Sequence, residues 1–229
     1  MLTCIKNIVS THIESSFRSP SGLSGWFCRK KMQTINNDSI ITGIQRLGLK
    51  ESDTYCEIGA GDGLGIKSII EPDASSLIDE MVYVRVPARI ILVEISDDFR
   101  RQLLRVVNHD IPEKFRSRIE VHGHDCKHMH FLSDNSVDTI FAMNVVYFLN
   151  PLSDYLEEIH RVLKPGGFVV FGCKFMLTPK DSSVFVNVDE DIVKEAMQKA
   201  GFLFSKEDVI VSNEEPIKNF VELKGIKKK

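Results

Sequence analysis

Tyr55-Cys56-Glu57-Ile58-Gly59-Ala60-Gly61-Asp62-Gly63-Leu64-Gly65 is the stretch on which the fold turns. It reads as a short apolar strand that ends on an acid and runs into a glycine-rich turn. The turn opens a helix from Leu64 to about Ile70, stopped before Pro72. Glycines let the chain reverse sharply and let a ligand approach the main chain. The helix start behind them offers unpaired N–H groups and the positive end of a dipole. Such a turn suits a nucleotide-like ligand at the carboxyl end of a parallel strand.

The spacing of the glycines narrows the ligand. A dinucleotide fingerprint needs Gly-x-Gly-x-x-Gly. Counted from Gly59 its third glycine falls on Leu64, and counted from Gly61 it falls on Ile66. The Gly-Lys-Ser/Thr of a P-loop is also missing. What stands here is Glu-x-Gly-x-Gly-x-Gly, with Glu57 presenting an anion to the turn. A diphosphate would be repelled there, whereas an ammonium or sulfonium would be attracted. That chemistry matches S-adenosylmethionine, which carries a cationic amino-acid end and no phosphate.

The rest of the chain supplies the strands and helices around this turn. Arg89 to Val93 is a continuous apolar run, the mark of a strand covered on both faces, and Glu94 follows it. A carboxylate at that point can accept both hydroxyls of a ribose. Glu94 comes 31 positions after Gly63 (94 − 63), against about 20 in a compact nucleotide-binding unit. An insertion is therefore placed at 73–87, with a weak strand at Met81 to Val86. Ser96 caps a helix reaching Val107. Ile119 to His122 is the third strand, with Asp125 just beyond, where it can accept from an adenine amino group. Val137 to Met143 is the fourth strand, Asn150-Pro151 opens a helix to Leu163, and Phe168 to Cys173 is the fifth strand. A helix at Val188 to Ala200 and late strands near Asp208–Ser212 and Phe220–Leu223 complete the chain. Strands alternating with helices imply an α/β fold: a doubly wound, mostly parallel seven-stranded sheet with an antiparallel edge strand.

At the N-terminus, residues 1–33 hold one acid, Glu14, against Lys6, Arg18, Arg29, Lys30 and Lys31. They read as a basic arm or lid, jointed at Pro20 to Gly25 and anchored by Trp26-Phe27, with the domain at 34–229. Its first helix is placed at Lys31 to Leu49. A mitochondrial presequence has the same composition, so the expected location is cytoplasmic with a mitochondrial alternative.

Composition excludes several classes. The 229 residues are 43% hydrophobic and 27% charged, with a net charge of −3, so nothing points to nucleic acid as a partner. No apolar run approaches the roughly 18 residues of a membrane span. Cys4, Cys28, Cys56, Cys126 and Cys173 are odd in number and contain no Cys-x-x-Cys, which favours free thiols. His122, His124, Cys126, His128 and His130 alternate in the manner of zinc ligands on one side of a strand, but solvated loop histidines are the preferred reading, and no metal is expected.

With these elements in place the chain resembles the class I S-adenosylmethionine-dependent methyltransferases of the type 11 group, which includes ubiquinone/menaquinone-biosynthesis and sterol-type enzymes. The resemblance rests on the glycine-rich motif and on Leu156-Glu157-Glu158-Ile159-His160-Arg161-Val162-Leu163-Lys164-Pro165-Gly166-Gly167. Asn36-Asn37 and Asn144-Val145-Val146-Tyr147-Phe148 are similar to segments of one subgroup. The resemblance implies that Glu57, Gly59, Ala60, Gly61 and Gly63 hold the methionine end of the cofactor. It implies that Glu94 and Ile95 take the ribose, Asp125 and Cys126 the adenine side, and Asn144 the region near the methyl. The implied activity is methyl transfer to a small-molecule or lipid-like acceptor. Tyr147 is the candidate base, with a packed aromatic as its alternative role. Two rivals remain: a protein of this fold that binds without turnover, and aminopropyl transfer, against which Asn144-Val145-Val146 stands where paired acids would be wanted. Glu94→Ala is expected to weaken cofactor binding and leave the fold intact.

Overall fold

A computed structural model describes residues 22–71, 85–179 and 182–229, with side chains from residue 34 onward in the first helix. The elements in chain order are α1 (Gly22–Arg46), β1 (Thr54–Ile58), α2 (Leu64–Ile70), β2 (Arg89–Val93), α3 (Asp97–Arg105), α4 (Glu113–Arg116) and β3 (Ile119–His122). Then come β4 (Val137–Met143), α5 (Leu152–Val162), β5 (Leu163–Cys173), α6 (Glu190–Lys199), β6 (Phe202–Val209) and β7 (Phe220–Lys227). They form one seven-stranded sheet in the order β3-β2-β1-β4-β5-β7-β6.

Alternation along the strands builds the two cores. Cys56, Ile58, Ile91, Val93, Ile140, Ala142, Val169 and Phe171 face α5 and α6, where Leu156, Ile159, Val193 and Met197 meet them. The intervening residues Tyr55, Ile90, Leu92, Phe141 and Val170 face Ile44 of α1, Ile66 and Ile69 of α2 and Leu103 of α3. Each of these strand residues thus lands in one apolar layer or the other, and complete burial of such a side chain contributes about 1.5–3 kcal/mol. This is why the strands read as unbroken apolar runs.

Parallel register brings the strand ends into one row. Ile58 pairs with Val93, and Val93 pairs with His122. Main-chain bonds continue the row past the strands: Gly59 N–H donates to Val93 O at 2.8 Å, Glu94 N–H to His122 O at 3.0 Å and Asn144 N–H to Gly172 O at 2.8 Å. The residues that follow β1 to β4 therefore emerge along a single rim.

The antiparallel strand is β7, seated between β5 and β6. The outermost strand β6 lies at Phe202–Val209, earlier than the expected Asp208–Ser212, and most of its central residues are exposed. A solvated edge carrying Lys206, Glu207 and Asp208 has no apolar alternation to betray it. The first helix starts at Gly22, nine residues before the expected Lys31 (31 − 22), so the boundary drawn at residue 33 falls inside α1. The Trp26-Phe27 side chains, residues 1–21 and the bulk of the 73–87 insertion lie outside what is described; Arg85 and Val86 are not in a strand.

The Glu158 to Gly167 run has a structural job. Arg161 pairs with Glu158 at 2.8 Å and with Asp134 at 2.6 Å, and donates to Leu132 O at 3.0 Å and Met129 O at 3.2 Å. Glu158 also accepts from Met129 N–H at 2.6 Å. Together they pin the loop between β3 and β4, which carries Asp125 and Cys126. Arg161→Ala strands two carbonyls and a half-paired carboxylate, so a loss of about 2–3 kcal/mol is expected in urea unfolding.

Candidate functional site

A cleft of about 170 Å³ opens along the carboxyl rim of β1 to β4, with α1 as its far wall. Of the residues singled out in the sequence, Glu57, Gly59, Ala60, Gly61, Glu94, Ile95, Asp125, Cys126 and Asn144 line it. Gly63 does not; it caps α2 behind the turn. Asn36, Asn37 and Ile40 of α1, together with Phe99, His124, Met143, Phe148 and Tyr155, complete much of the wall. In the sequence Asn36-Asn37 stands out only as part of a segment before the glycine-rich motif. A contact spanning more than a hundred residues leaves no local signal in the sequence.

Glu57 sits at the floor, 5% exposed. Its carboxyl lies under the first turn of α2, against Gly65, where a Cβ would overlap both its oxygens. The Tyr55 hydroxyl donates to it at 3.3 Å. Burial raises the Glu57 carboxyl to about 8, with Asp62 and Glu94 pushing the same way against the Tyr55 hydrogen bond. The expected anion is therefore a neutral acid in the ligand-free protein at pH 7. An incoming cation would turn it into the anion that the sequence suggested.

Glu94 is buried and ties two turns together. One oxygen accepts from Gly61 N–H at 2.9 Å and the other from Ser96 N–H at 2.8 Å. Burial raises its pKa, opposed first by these two backbone donors. Each oxygen keeps a lone-pair direction for a further donor. The expectation that Glu94→Ala spares the fold needs correcting, because two backbone N–H groups in a buried turn lose their acceptor. The expected cost is about 2 kcal/mol or more in thermal or urea unfolding, alongside any loss of binding.

Asp125 accepts from the Tyr155 hydroxyl at 3.1 Å and from Lys127 N–H at 3.1 Å, which aims it along the β3 end of the cleft. Cys126 is buried, and burial pushes its thiol up to about 12, so it stays protonated. Ile95 is 47% exposed at the rim, an apolar side chain left over the opening.

Asn144 sits at φ 56, a conformation uncommon for a residue with a side chain. Its amide donates to Asn36 Oδ1 at 3.1 Å and accepts from the Tyr147 hydroxyl at 3.4 Å. Tyr147 itself is absent from the cleft wall and 3% exposed. Its ring packs against Phe148, Phe175 and Phe185, and its hydroxyl also takes the Lys174 N–H. Burial raises its pKa well above the usual phenol value. The candidate base is thus a packed aromatic, as its turn sends the ring inward.

The alternating histidines do not converge. His122 stacks on Phe131 with centroids 3.7 Å apart, His128 stacks with His130, and His124 is exposed at the cleft mouth. Among the described residues no group of three or more His, Cys, Asp or Glu could hold a metal ion. No helix among them is long and apolar enough to cross a membrane.

Comparison with known proteins bears on the fold that carries this rim. A family model described as "Methyltransferase domain", type 11, matches residues 73–171, that is β2 through most of β5. No curated protein matches. Among solved structures the chain is similar to a Haloferax volcanii complex of the Trm112 methyltransferase activator and a methyltransferase, at 15% identity and TM-score 0.68, covering 87% of this chain and 93% of that one. It is similar to a [4+2]-cyclase, SpnF, at 15% identity and TM-score 0.62, covering 83% and 80%. It is also similar to a Haemonchus contortus phosphoethanolamine N-methyltransferase 2 in complex with phosphomonomethylethanolamine and S-adenosylhomocysteine, at 16% identity and TM-score 0.63. That match covers 86% of this chain and 56% of the nematode enzyme. At such identities the likeness is one of fold. The family match spans residues 73–171, and the sheet order around it is that of a Rossmann-like methyltransferase fold, so the chain carries a stretch similar to the methyltransferase domain family on a methyltransferase-like fold.

Proposed function

We propose that the protein transfers a methyl group from S-adenosylmethionine to a small-molecule or lipid-like acceptor. One observation carries the reading: the described cleft wall holds Glu57, Asp62, Glu94 and Asp125 and neither Lys nor Arg. Such a wall favours a ligand bearing an ammonium and a sulfonium, and disfavours a diphosphate. The donor set fits the group piece by piece. Glu57, once ionised, would hold the ammonium. Glu94 has lone pairs left for a ribose diol, beside which Ile95 would pack, and Asp125 would accept from the adenine amino group.

S-adenosylmethionine supplies an activated methyl on a sulfonium that departs as a neutral thioether. The chain's own contribution is alignment, which can account for much of the rate. With the donor held at the ends of β3, β2 and β1, the end of β4 and the facing α1 would be left for the acceptor. The residues at that end would hold an acceptor against the activated methyl. Ile40, Met143, Val145, Phe148 and Leu149 make that end apolar, which supports a small or lipid-like acceptor. With Tyr147 turned inward, positioning carries more of the work than a dedicated base.

Methyl-labelled S-adenosylmethionine incubated with the protein and a fractionated cell extract tests the reading. Transfer of label into a low-molecular-weight or solvent-extractable fraction is the expected result. Cofactor binding without any transfer would favour a binding protein on this fold.

A further inference from the structure

We infer that Asn36 and Asn144 form the acceptor-binding pair, an uncharged amide clamp that holds a hydroxyl or carbonyl oxygen of a neutral acceptor. The inference rests on the methyl-donor reading of the cleft and adds what that reading leaves open, the chemical class that faces the methyl. Asn36 comes from α1 and Asn144 follows β4, 108 positions apart, and their amides meet at 3.1 Å on the cleft wall. The bond uses one N–H of Asn144 and one lone pair of Asn36, and the Tyr147 hydroxyl occupies the Asn144 oxygen at 3.4 Å. An amide carries two N–H donors, so among the described residues the amino group of Asn36 and the second N–H of Asn144 remain for a ligand. Donors of this kind are satisfied by an oxygen lone pair.

The position of the pair is fixed from both sides. Asn144 is held at φ 56 with its own N–H bound to Gly172 O at 2.8 Å. Around Asn36, the Lys174 ammonium donates to Ile35 O at 2.7 Å and to Ile217 O at 2.7 Å. The buried Ser39 hydroxyl donates to Lys218 O at 2.6 Å, and Lys218 pairs with Asp38 at 2.8 Å. α1 is thus bolted to the β7 side of the sheet through the residues on either side of Asn36. A rigid amide pair at the mouth of an apolar wall made by Ile40, Phe148 and Leu149 is a built recognition site.

Charge at this end would be penalised. A cationic acceptor would approach a sulfonium. An anionic acceptor would find no Lys or Arg on the described wall and four carboxyl groups nearby. A neutral oxygen function on an apolar body meets neither penalty.

The test uses the full chain saturated with S-adenosylhomocysteine and four probes on one eight-carbon chain: 1-octanol, 2-octanone, octylammonium and octyl phosphate. Binding is read by calorimetry. Octanol and octanone are expected to bind at least about tenfold tighter than octyl phosphate; because S-adenosylhomocysteine lacks the sulfonium, octylammonium serves only to compare the natural protein with Asn36→Asp. Asn36→Leu is expected to weaken octanone about tenfold, the loss of one hydrogen bond, with the S-adenosylhomocysteine affinity within about twofold. Asn36→Asp keeps the shape and is expected to gain about tenfold for octylammonium, a change that loosened packing alone would not produce. Equal or tighter binding of octyl phosphate by the natural protein would overturn the inference. So would octanone affinity unchanged in Asn36→Leu, no gain for octylammonium in Asn36→Asp, or no binding of any probe at millimolar concentration. Failure of the natural protein to bind S-adenosylhomocysteine is a separate result and would fell the donor reading instead.

Discussion

Glu57→Gln is expected to bind S-adenosylmethionine about 100-fold more weakly than the natural protein, since one partner of a buried charge pair is lost. The same variant is expected to melt higher than the natural protein at pH 8. The second expectation follows from linkage. Burial lifts the Glu57 carboxyl from 4.5 to about 8 in the folded chain. Below 4.5 both folded and unfolded chains hold the proton, and the site costs nothing. Between 4.5 and 8 the unfolded chain releases the proton and the folded chain keeps it, so stability falls by about 1.4 kcal/mol per pH unit. Above 8 both are ionised and the cost levels off. Gln cannot ionise, so its stability is flat across that window. Binding carries the mirror image of this effect. A cation that ionises Glu57 must displace its proton, so calorimetry at pH 7 in two buffers should show close to one proton released by the natural protein and none from Glu57 in the variant. Unfolding curves from pH 5 to 9 that run parallel for the two proteins would contradict the burial argument.

Gly59→Ala is expected to cost about 2–4 kcal/mol in unfolding, joining left-handed strain to a steric overlap. Gly59 has φ 73, and a Cβ built there falls 2.5 Å from Cγ2 of Val145. The turn after β1 and the loop after β4 therefore touch, and the glycine is what lets them close over the cleft. Val145→Ala removes the methyl that collides. In a double-mutant cycle the pair should show a favourable coupling of about 1–2 kcal/mol, while the backbone strain remains. Additive effects would mean that the two loops do not meet.

Much of this was legible in the sequence, and for a physical reason. In a doubly wound sheet the central strands are covered twice, so Arg89–Val93 and Val137–Met143 show as apolar runs with a polar residue where the run meets the rim. That punctuation marks Glu94 and Asn144 directly. What sequence hides is the direction in which a side chain leaves its turn. Tyr147 follows β4 as a base should, yet its ring turns into an aromatic cluster and its hydroxyl is consumed by the main chain. Glu57 reads as an anion because burial is invisible in a string of letters, and burial is what keeps it protonated. Gly22 to Gly25 reads as a joint because glycine and serine are weak helix formers, whereas α1 begins there. The Asn36–Asn144 contact joins distant segments and could be found only once the chain was folded.

The charge of the cleft is tested most directly by parallel equilibrium titrations of the purified full chain with S-adenosylhomocysteine and with NAD. The prediction is a dissociation constant for S-adenosylhomocysteine on the order of micromolar, or about −8 kcal/mol, and no saturation by NAD up to about 1 mM. Saturation by NAD at equal or lower concentration, or no uptake of S-adenosylhomocysteine at millimolar levels, would contradict it.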